Sequence, residues 1–465
     1  MSAHLATGDP RLSFWLHVRE FAVPASVIET ATARRLAGDW AGACAAARVD
    51  VDLDLRSAAR RHGRELADRL RRDLRALAPD LLRWHLPRVA PVGLLRPGLT
   101  LSLARYGAVH LVVRTPPGRA SGGQRFSLAL QDGTAPRRPA HGRAPEHPAD
   151  ASHPHPHPSP RFRLDLHRHL WDAGRSGELP LRSGGPERWA AEARILLRAE
   201  GRPDGEGAVR VRLGAREVVV GTGPGGPTVG VSAPPALPSL PVLPDAAVRV
   251  PPDLELLRAG LIGPEGLHPL VAAALLPTPA PTAAAPGAPA PSDPTPGAPA
   301  PSDPTPGAPA PSDPGSSPGR PRVVRCRGSL HRIGLVDGVL TALDHRPDEI
   351  RREELLMALT GTPLPCLQTI DDAHRRPESL ADVRARLDHG DTDGALAAVE
   401  ALLGPDATLR TGPLRDALAE AAERRVAHGL FRAGLADPAP RRKADVRPRP
   451  RPQELRAHPR HANGR

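Results

Sequence analysis

Apolar residues recur at helical spacing between positions 11 and 87. A leucine stripe advances in steps of four, four, three and four residues, at Leu66, Leu70, Leu74, Leu77 and Leu81. These steps put the side chains on one face of a helix. Pro24 suits a first helical turn, and Pro87 and Pro91 end the run. The pattern predicts a bundle of about four short helices.

The spacing changes to a period of two after Leu99, in the runs LTLSLARY, VHLVVRT and QRFSLAL. Such alternation is typical of half-buried strands, so we predict a three-stranded meander. Seven of the 11 aromatic residues lie between positions 14 and 126. We therefore expect bundle and sheet to share one core, as an α+β domain over residues 9–133.

Composition divides the rest of the chain into five segments. They are a His/Pro-rich linker at 134–160, a small mixed α/β unit at 161–276, a Pro-rich spacer at 277–321, a C-terminal domain at 322–436 and a disordered basic tail at 437–465. The C-terminal domain is predicted as a hairpin that turns at Asp337-Gly338, followed by a helical bundle. The sequence thus predicts an α+β, multi-domain chain with disordered Pro-rich linkers.

The spacer contains a tandem decapeptide, PGAPAPSDPT, within 45 residues that include 17 prolines. Such a segment cannot bury a core and is typical of a stiff, solvated polyproline II chain. We expect it to hold the domains on its two sides at a variable distance.

Arginine supplies nearly all the positive charge, because Lys443 is the single lysine among 63 basic residues. This bias is typical of a high-GC genome. The P-loop, protein kinase and Schiff-base mechanisms each need a lysine within a folded domain, so they are excluded. The net charge of +12 lies at the two ends, where residues 1–133 carry 20 arginines against 12 acids and residues 437–465 carry nine bases against three acids.

The three cysteines, Cys44, Cys326 and Cys366, are far apart and show no C-x-x-C spacing. They are interpreted as small buried hydrophobic residues, without a disulfide framework or a zinc ribbon. No signal peptide and no apolar run of about 18 residues is found. We therefore expect a cytoplasmic protein without a membrane partner.

Two short clusters could bind a metal. His153, His155 and His157 alternate with prolines and could capture Zn²⁺ loosely, although linker composition explains them better. Asp50, Asp52 and Asp54 would share one face of an extended strand and could bind a hard cation. In the alternative interpretation Asp54 caps a helix and the other two are solvated. No complete catalytic or cofactor motif is found, so no cofactor is predicted.

Arginines on the leucine-bearing helix and in the tail could contact a phosphate backbone. The candidates are Arg64, Arg71, Arg75, Arg447, Arg449 and Arg451. Interleaved acids would instead form i,i+4 pairs on a solvated face, and aromatic residues are too few for base stacking. Nucleic acid is therefore possible as a partner but not favoured.

The segments LAGDWAGACAAA at 36–47 and LDHGDTDGALAAVEALLG at 387–404 share G-D-x-x-G-A before an alanine-rich helix. Each resembles the turn of a tetratricopeptide-type helical hairpin, although an ordinary αα-hairpin explains it better. The general sequence pattern of two segments resembles that of uncharacterised proteins of high-GC actinobacteria. These segments are FAVPASVIETATARRLAGDWAGACAAARVDVDLDL and IRREELLMALTGTPLPCLQTIDDAHRRPE. That resemblance implies no activity.

The leading functional hypothesis is an intracellular scaffold that binds an unknown protein partner without catalysis. It depends on the domain-spacer-domain layout and on the missing catalytic motifs. A nucleic-acid-associated protein that uses its basic ends is the first alternative. A metal-dependent hydrolase that uses Asp50, Asp52 and Asp54 is the second.

Overall fold

The computed structural model describes residues 9–133, 153–276 and 322–435. Short gaps within these ranges lie at 156, 183–184, 203, 215, 224–225, 231–238, 327, 337–338, 361–363, 376–379, 404–408 and 410. The described chain is a mixed α+β structure with several small antiparallel sheets, which confirms the predicted fold class at that level. The predicted spacer, the basic tail and the Asp337-Gly338 turn lie outside the described residues.

Six helices open the N-terminal domain: α1 Pro10–Phe21, α2 Ala25–Leu36, α3 Trp40–Ala46, α4 Leu55–His62, α5 Arg64–Ala76 and α6 Pro79–His85. Three of them begin where an aspartate side chain accepts a backbone hydrogen bond, at Asp9, Asp39 and Asp54. Such caps satisfy amide groups that have no partner in the first helical turn.

Six strands belong to the same domain: β1 Val49–Asp52, β2 Arg88–Val89, β3 Leu94–Leu95, β4 Thr100–Tyr106, β5 Val109–Arg114 and β6 Phe126–Asp132. Strands β4, β5 and β6 form the predicted antiparallel meander. The sequence did not predict that β1 pairs with β6 in parallel, which makes a four-stranded sheet in the order β1-β6-β5-β4.

The main hydrophobic core lies between this sheet and the helices. The leucine stripe is confirmed, because Leu70, Leu74, Leu77 and Leu81 are all fully buried there. The same core also includes Trp171 and other residues that the sequence assigned to the middle unit, at Phe162, Leu164, Leu170, Leu179, Leu267 and Val271. The first and last parts of 161–276 therefore belong to the N-terminal core, because their apolar side chains are buried in it.

The elements of the middle segment are α7 Leu179–Arg182, α8 Trp189–Ala199, β7 Ala208–Leu213, β8 Arg216–Gly223, β9 Gly226–Gly230, α9 Asp245–Val248, α10 Pro252–Arg258 and α11 Pro269–Leu275. A second, smaller cluster packs α8 on the β7-β8-β9 sheet around Trp189, Leu197 and Val220. The predicted amphipathic helix in DLHRHLWDAG forms consecutive 3₁₀ turns instead.

The C-terminal part begins with an antiparallel sheet of β10 Arg322–Cys326, β11 Ser329–Val336 and β12 Val339–Ala342. Five helices follow: α12 Pro347–Thr360, α13 Pro365–Arg375, α14 Leu380–Asp388, α15 Thr392–Leu403 and α16 Pro413–Arg432.

Both predicted helical turns are present. Gly38 and Gly390 have φ of 77° and 81°, which glycine adopts without the steric cost of a side chain. The aspartate after each glycine then accepts a hydrogen bond from a backbone amide of the next helix, at Asp39 and Asp391. No 34-residue repeat accompanies these turns in the described ranges, so they are ordinary αα-hairpins.

The C-terminal helices contact the N-terminal sheet directly. Arg432 of α16 forms two hydrogen bonds with Asp52 of β1, one of them at 2.6 Å. Arg48, just before β1, donates to the carbonyl of His389 at 3.1 Å. The expected variable distance between the two domains does not hold in this structure, because these contacts fix α16 against the sheet.

Candidate metal centre

Four cysteine and histidine side chains converge on one face of the β10-β11-β12 sheet. They are Cys326, His331, His345 and Cys366, and their potential ligand atoms all lie within 4.8 Å of one another. Four, 13 and 20 residues separate them along the chain. This is the one group of three or more potential ligands that comes together within the described ranges.

The hairpin register explains how the first two side chains meet. Val324 of β10 lies opposite His331 of β11, and Cys326 is two residues farther along β10. Because side chains alternate between the faces of a strand, Cys326 and His331 lie on the same face as diagonal neighbours. The buried Ile333 lies on that face too, so both side chains point towards the small C-terminal core.

The other two side chains come from segments that follow the sheet. His345 lies directly after β12, where its backbone amide donates to the carbonyl of Ala342 at 3.4 Å. Cys366 lies in the first turn of α13, one helical turn before Ile370, and both are buried against the sheet. The spacing of four residues puts them on one helix face. The cluster thus joins three separate parts of the C-terminal chain.

The distances within the cluster suit a small tetrahedral ion. Nδ1 of His331 lies 2.5 Å from Nε2 of His345 and 3.8 Å from Sγ of Cys366. Ligand atoms around a tetrahedral Zn²⁺ lie about 3.3 to 3.8 Å apart, as its bond lengths of about 2.0 to 2.3 Å require. Binding of Zn²⁺ would therefore require the distance between Nδ1 of His331 and Nε2 of His345 to increase by under about 1 Å.

A carboxylate supports the site from behind. Oε2 of Glu353, in α12, lies 3.5 Å from Nδ1 of His345, and both side chains are nearly fully buried. This contact leaves Nε2 of His345 to face the other three ligands. Histidines that bind metals usually donate their second ring N–H to such a group, which fixes the tautomer and orients the ring.

The surroundings of Cys366 disfavour the charged thiolate form of its side chain. Burial, the neighbouring Cys326 and the charge of Glu353 together raise the pKa of Cys366 to about 12. A bound Zn²⁺ would reverse this effect, because a coordinated thiol is deprotonated. Two sulfurs and two imidazoles are soft or borderline ligands, which favour zinc over Mg²⁺ or Ca²⁺.

The sequence-predicted histidines lie elsewhere. Nε2 of His153 is 3.0 Å from the carbonyl of Thr115, and Thr100 donates to the carbonyl of His155 at 2.6 Å. His157 contacts the amide of Gln131. These contacts hold the end of the predicted linker on strands of the N-terminal sheet, and the three rings do not form a ligand cluster in the described chain.

Each of the three sequence-predicted aspartates has a hydrogen-bond or ion-pair partner within the protein. Asp50 and Asp52 do share one face of a strand, but Asp50 pairs with Arg125 and His428, and Asp52 pairs with Arg432. Burial opposes the charge of Asp50, yet the hydrogen bonds from His428 and Arg125 outweigh it and lower its pKa. Asp54 accepts from the amide of Ser57 as the cap of α4. Arginine therefore occupies the place where a cation would bind.

The candidate nucleic-acid residues of the N-terminal domain lie on α5. Arg64 and Arg75 are exposed, while Arg71 is half-buried and pairs with Asp68 at 2.5 Å. The other three candidates, Arg447, Arg449 and Arg451, lie outside the described residues. The aromatic side chain that contacts an arginine of α5, Tyr106, is itself buried, so it is not available for base stacking.

The sequence interpretation did not predict this cluster, because it treated Cys326 and Cys366 as hydrophobic residues. They are indeed fully buried and free of disulfides, but each has a histidine neighbour. The sequence did contain one signal of the cluster, because its two cysteines and two histidines all fall within residues 326–366. The short C-x-x-C spacing that usually marks a zinc ribbon is absent from that stretch.

Comparison with protein-family models, with curated proteins and with solved structures finds no match to this chain. Function is therefore inferred from its own side-chain chemistry. Among the described helices, none has the length and apolar character needed to cross a membrane.

Proposed function

We propose that the C-terminal part binds one Zn²⁺ through Cys326, His331, His345 and Cys366, and that this ion holds together an interaction module of a cytoplasmic scaffold protein. The convergence of the four ligand atoms carries the proposal. Four protein ligands complete the tetrahedral coordination of zinc, which leaves no position for substrate or water. Such a closed site is structural rather than catalytic.

The burial pattern supports a structural role. Among the described residues, five buried side chains form the cluster at the site: Cys326, Ile333, Ala342, Cys366 and Ile370. A core of this size supplies little hydrophobic stabilisation, and small domains usually add a disulfide or a metal. The two cysteines form no disulfide here, which leaves a metal as the stabilising element.

The opposite face of the same sheet supports an interaction role. Val323, Leu330 and Val336 all project from it and are 55%, 64% and 46% exposed. The strand register places these three side chains on the face of the sheet that faces away from the buried Ile333. Exposed apolar side chains grouped on one surface are typical of protein-binding sites. The metal would thus fix the sheet that presents this surface.

Elemental analysis of purified full-length protein tests the metal. We expect one equivalent of zinc per chain, and much less than one in Cys366→Ala. Cys44→Ala is the matched control, because Cys44 is an equally buried free thiol in the N-terminal core and should leave the zinc content unchanged. Protein that is folded and metal-free, and that takes up no zinc on titration, would contradict the proposal.

Affinity capture tests the scaffold role. Full-length protein and its Val323→Asp/Leu330→Asp variant would be used as baits in nuclease-treated lysate of the native cell. We expect a discrete protein that the parent retains and the variant loses. Bound material that disappears with nuclease would instead favour nucleic acid, and turnover of ester, phosphate or peptide substrates would contradict a role without catalysis.

A further inference from the structure

A polar cleft of about 540 Å³ lies on the N-terminal domain, away from the metal centre. It is bounded by α5, the turn between β4 and β5, the 3₁₀ turns that follow residue 160, and the end of α8. Seven of its 11 lining residues are charged. Its volume lies within the range typical of small-molecule sites, but those are mostly apolar, whereas this one is not.

The cleft has an excess of positive charge. Five arginines line it, at Arg69, Arg72, Arg105, Arg163 and Arg168, against the two carboxylates Asp73 and Asp165. Glu200 and Asp172, which pair with Arg163 and Arg168, lower the excess from three charges to one. A concave surface of one sign concentrates ions of the opposite sign, so the cleft favours an anion.

Two of the arginines form a fixed floor. Arg168 pairs with both Asp73 and Asp172, and Arg163 pairs with Asp165 and Glu200. Tyr106 donates to Asp73 at 2.6 Å, which holds that carboxylate in place. These contacts make the floor rigid, and its two guanidinium groups offset two of the four carboxylate charges.

The other three arginines are available at the rim. Arg69 and Arg72 form no ion pair with a carboxylate of the described chain, and Arg69 lies with its guanidinium 5.4 Å from the ring centre of Tyr106. Arg105 has only a long, exposed contact with Glu200 at 3.5 Å. Guanidinium groups form bidentate hydrogen bonds with tetrahedral oxyanions.

We propose that this cleft binds the phosphate group of a ligand through Arg69, Arg72 and Arg105. Phosphate offers the several acceptor oxygens that three guanidinium groups can share, and its negative charge matches the excess in the cleft. The site is independent of the metal centre. Phosphate could be carried by a small metabolite or by a nucleic-acid backbone, and these sources are separated by experiment.

Isothermal titration of the full-length protein with inorganic phosphate at low ionic strength tests the proposal. We expect one site per chain, and an affinity at least tenfold lower in Arg69→Gln/Arg72→Gln. Arg56→Gln/Arg60→Gln is the matched control, because it removes the same charge from exposed positions of the neighbouring α4. Its affinity should stay within twofold of the parent.

A second titration adds a twelve-residue oligothymidylate. Displacement of phosphate by the oligonucleotide, with weaker binding of both in Arg69→Gln/Arg72→Gln, would support the site and identify backbone phosphate as its source. Phosphate binding that the oligonucleotide leaves unchanged would support a small phosphorylated ligand. Absence of phosphate binding, or equal binding by the parent and Arg69→Gln/Arg72→Gln, would overturn the proposal.

Discussion

The N-terminal core and the core beneath the metal centre differ greatly in size. Within the described ranges, the first buries 33 apolar side chains, and the second buries five, two of which are cysteines. Burial of apolar surface stabilises a fold roughly in proportion to its area, so the first core can maintain a domain without help. The second has little area of its own, which is the reason for proposing that a metal bound by the four clustered side chains stabilises it.

Metal removal should have the largest effect and should separate the two regions. We expect a strong chelator to abolish protection of residues 322–375 against trypsin, while residues 9–133 remain protected. The free energy of zinc binding is on the order of 10 kcal/mol, more than a small domain has in reserve. Mass spectrometry of the fragments gives the readout, and equal protection with and without chelator would contradict a stabilising role.

The N-terminal core should instead depend on a buried ion pair. Asp253 accepts from Arg19 at 2.7 and 2.8 Å and from Trp84 at 3.1 Å, and both charged side chains are almost fully buried. Asp253→Ala leaves an unpaired buried cation, so we expect a loss of about 3 to 5 kcal/mol in the free energy of unfolding. Urea denaturation measures it, and zinc content should not change.

A more exposed ion pair on the same two helices serves as the control for the buried pair of Arg19 and Asp253. Glu255 pairs with Arg11 on the same two helices, but the two side chains are 22% and 45% exposed. We expect Glu255→Ala to cost under about 1 kcal/mol, because solvent screens such pairs. Equal losses for Glu255→Ala and Asp253→Ala would mean that burial does not determine the energy of these ion pairs.

The part of the fold that contains Glu192, on α8, should lose stability in acid. Burial opposes its charge, but hydrogen bonds from His167 and Arg182 outweigh that effect and lower its pKa from 4.5 to about 2. A carboxylate with a lowered folded pKa stabilises the fold above its unfolded pKa, and this contribution is lost as the pH falls from about 4.5 towards 2.

Glu192→Gln should remove this dependence. We expect the difference in the free energy of unfolding between parent and variant to be about 2 kcal/mol at pH 6 and to shrink as the pH approaches 3. Urea denaturation at several pH values measures that difference. A difference that stays constant with pH would show that Glu192 keeps an ordinary pKa in the folded protein.

A modest effect is expected at the carboxylate that contacts His345. Glu353→Gln keeps the shape of the side chain but removes the charge that orients His345. We expect zinc affinity to fall about tenfold, the lower end of what such supporting residues contribute. Competition with a chromophoric chelator measures it. An unchanged affinity would show that the contact between Glu353 and His345 does not support the site.

Local patterns explain which parts of the fold the sequence predicted. The leucine stripe of α5 and the alternation in β4, β5 and β6 each depend on neighbouring residues, and both are present. The pairing of β1 with β6 joins residues about 75 positions apart, and its two aspartates obscure the strand signal in the sequence. Strand pairing over that distance depends on tertiary packing, which a local pattern does not contain.

The metal centre was missed for the same reason. Val324 and His331 face each other only once the hairpin has formed, and Cys366 reaches the sheet only when α13 packs on it. The histidines that the sequence did single out, at His153, His155 and His157, were chosen for their local density alone. Their contacts with the N-terminal sheet show that density without convergence does not make a site.

Titration of metal-free full-length protein with Co²⁺ under reducing conditions tests the zinc centre most directly. Cobalt in a tetrahedral site of two thiolates and two imidazoles gives strong visible absorption together with a thiolate charge-transfer band. We predict that both bands saturate at one equivalent per chain, disappear when zinc is added, and are absent in Cys326→Ala/Cys366→Ala. A weak octahedral spectrum, or bands that persist in that variant, would contradict a metal centre formed by Cys326, His331, His345 and Cys366.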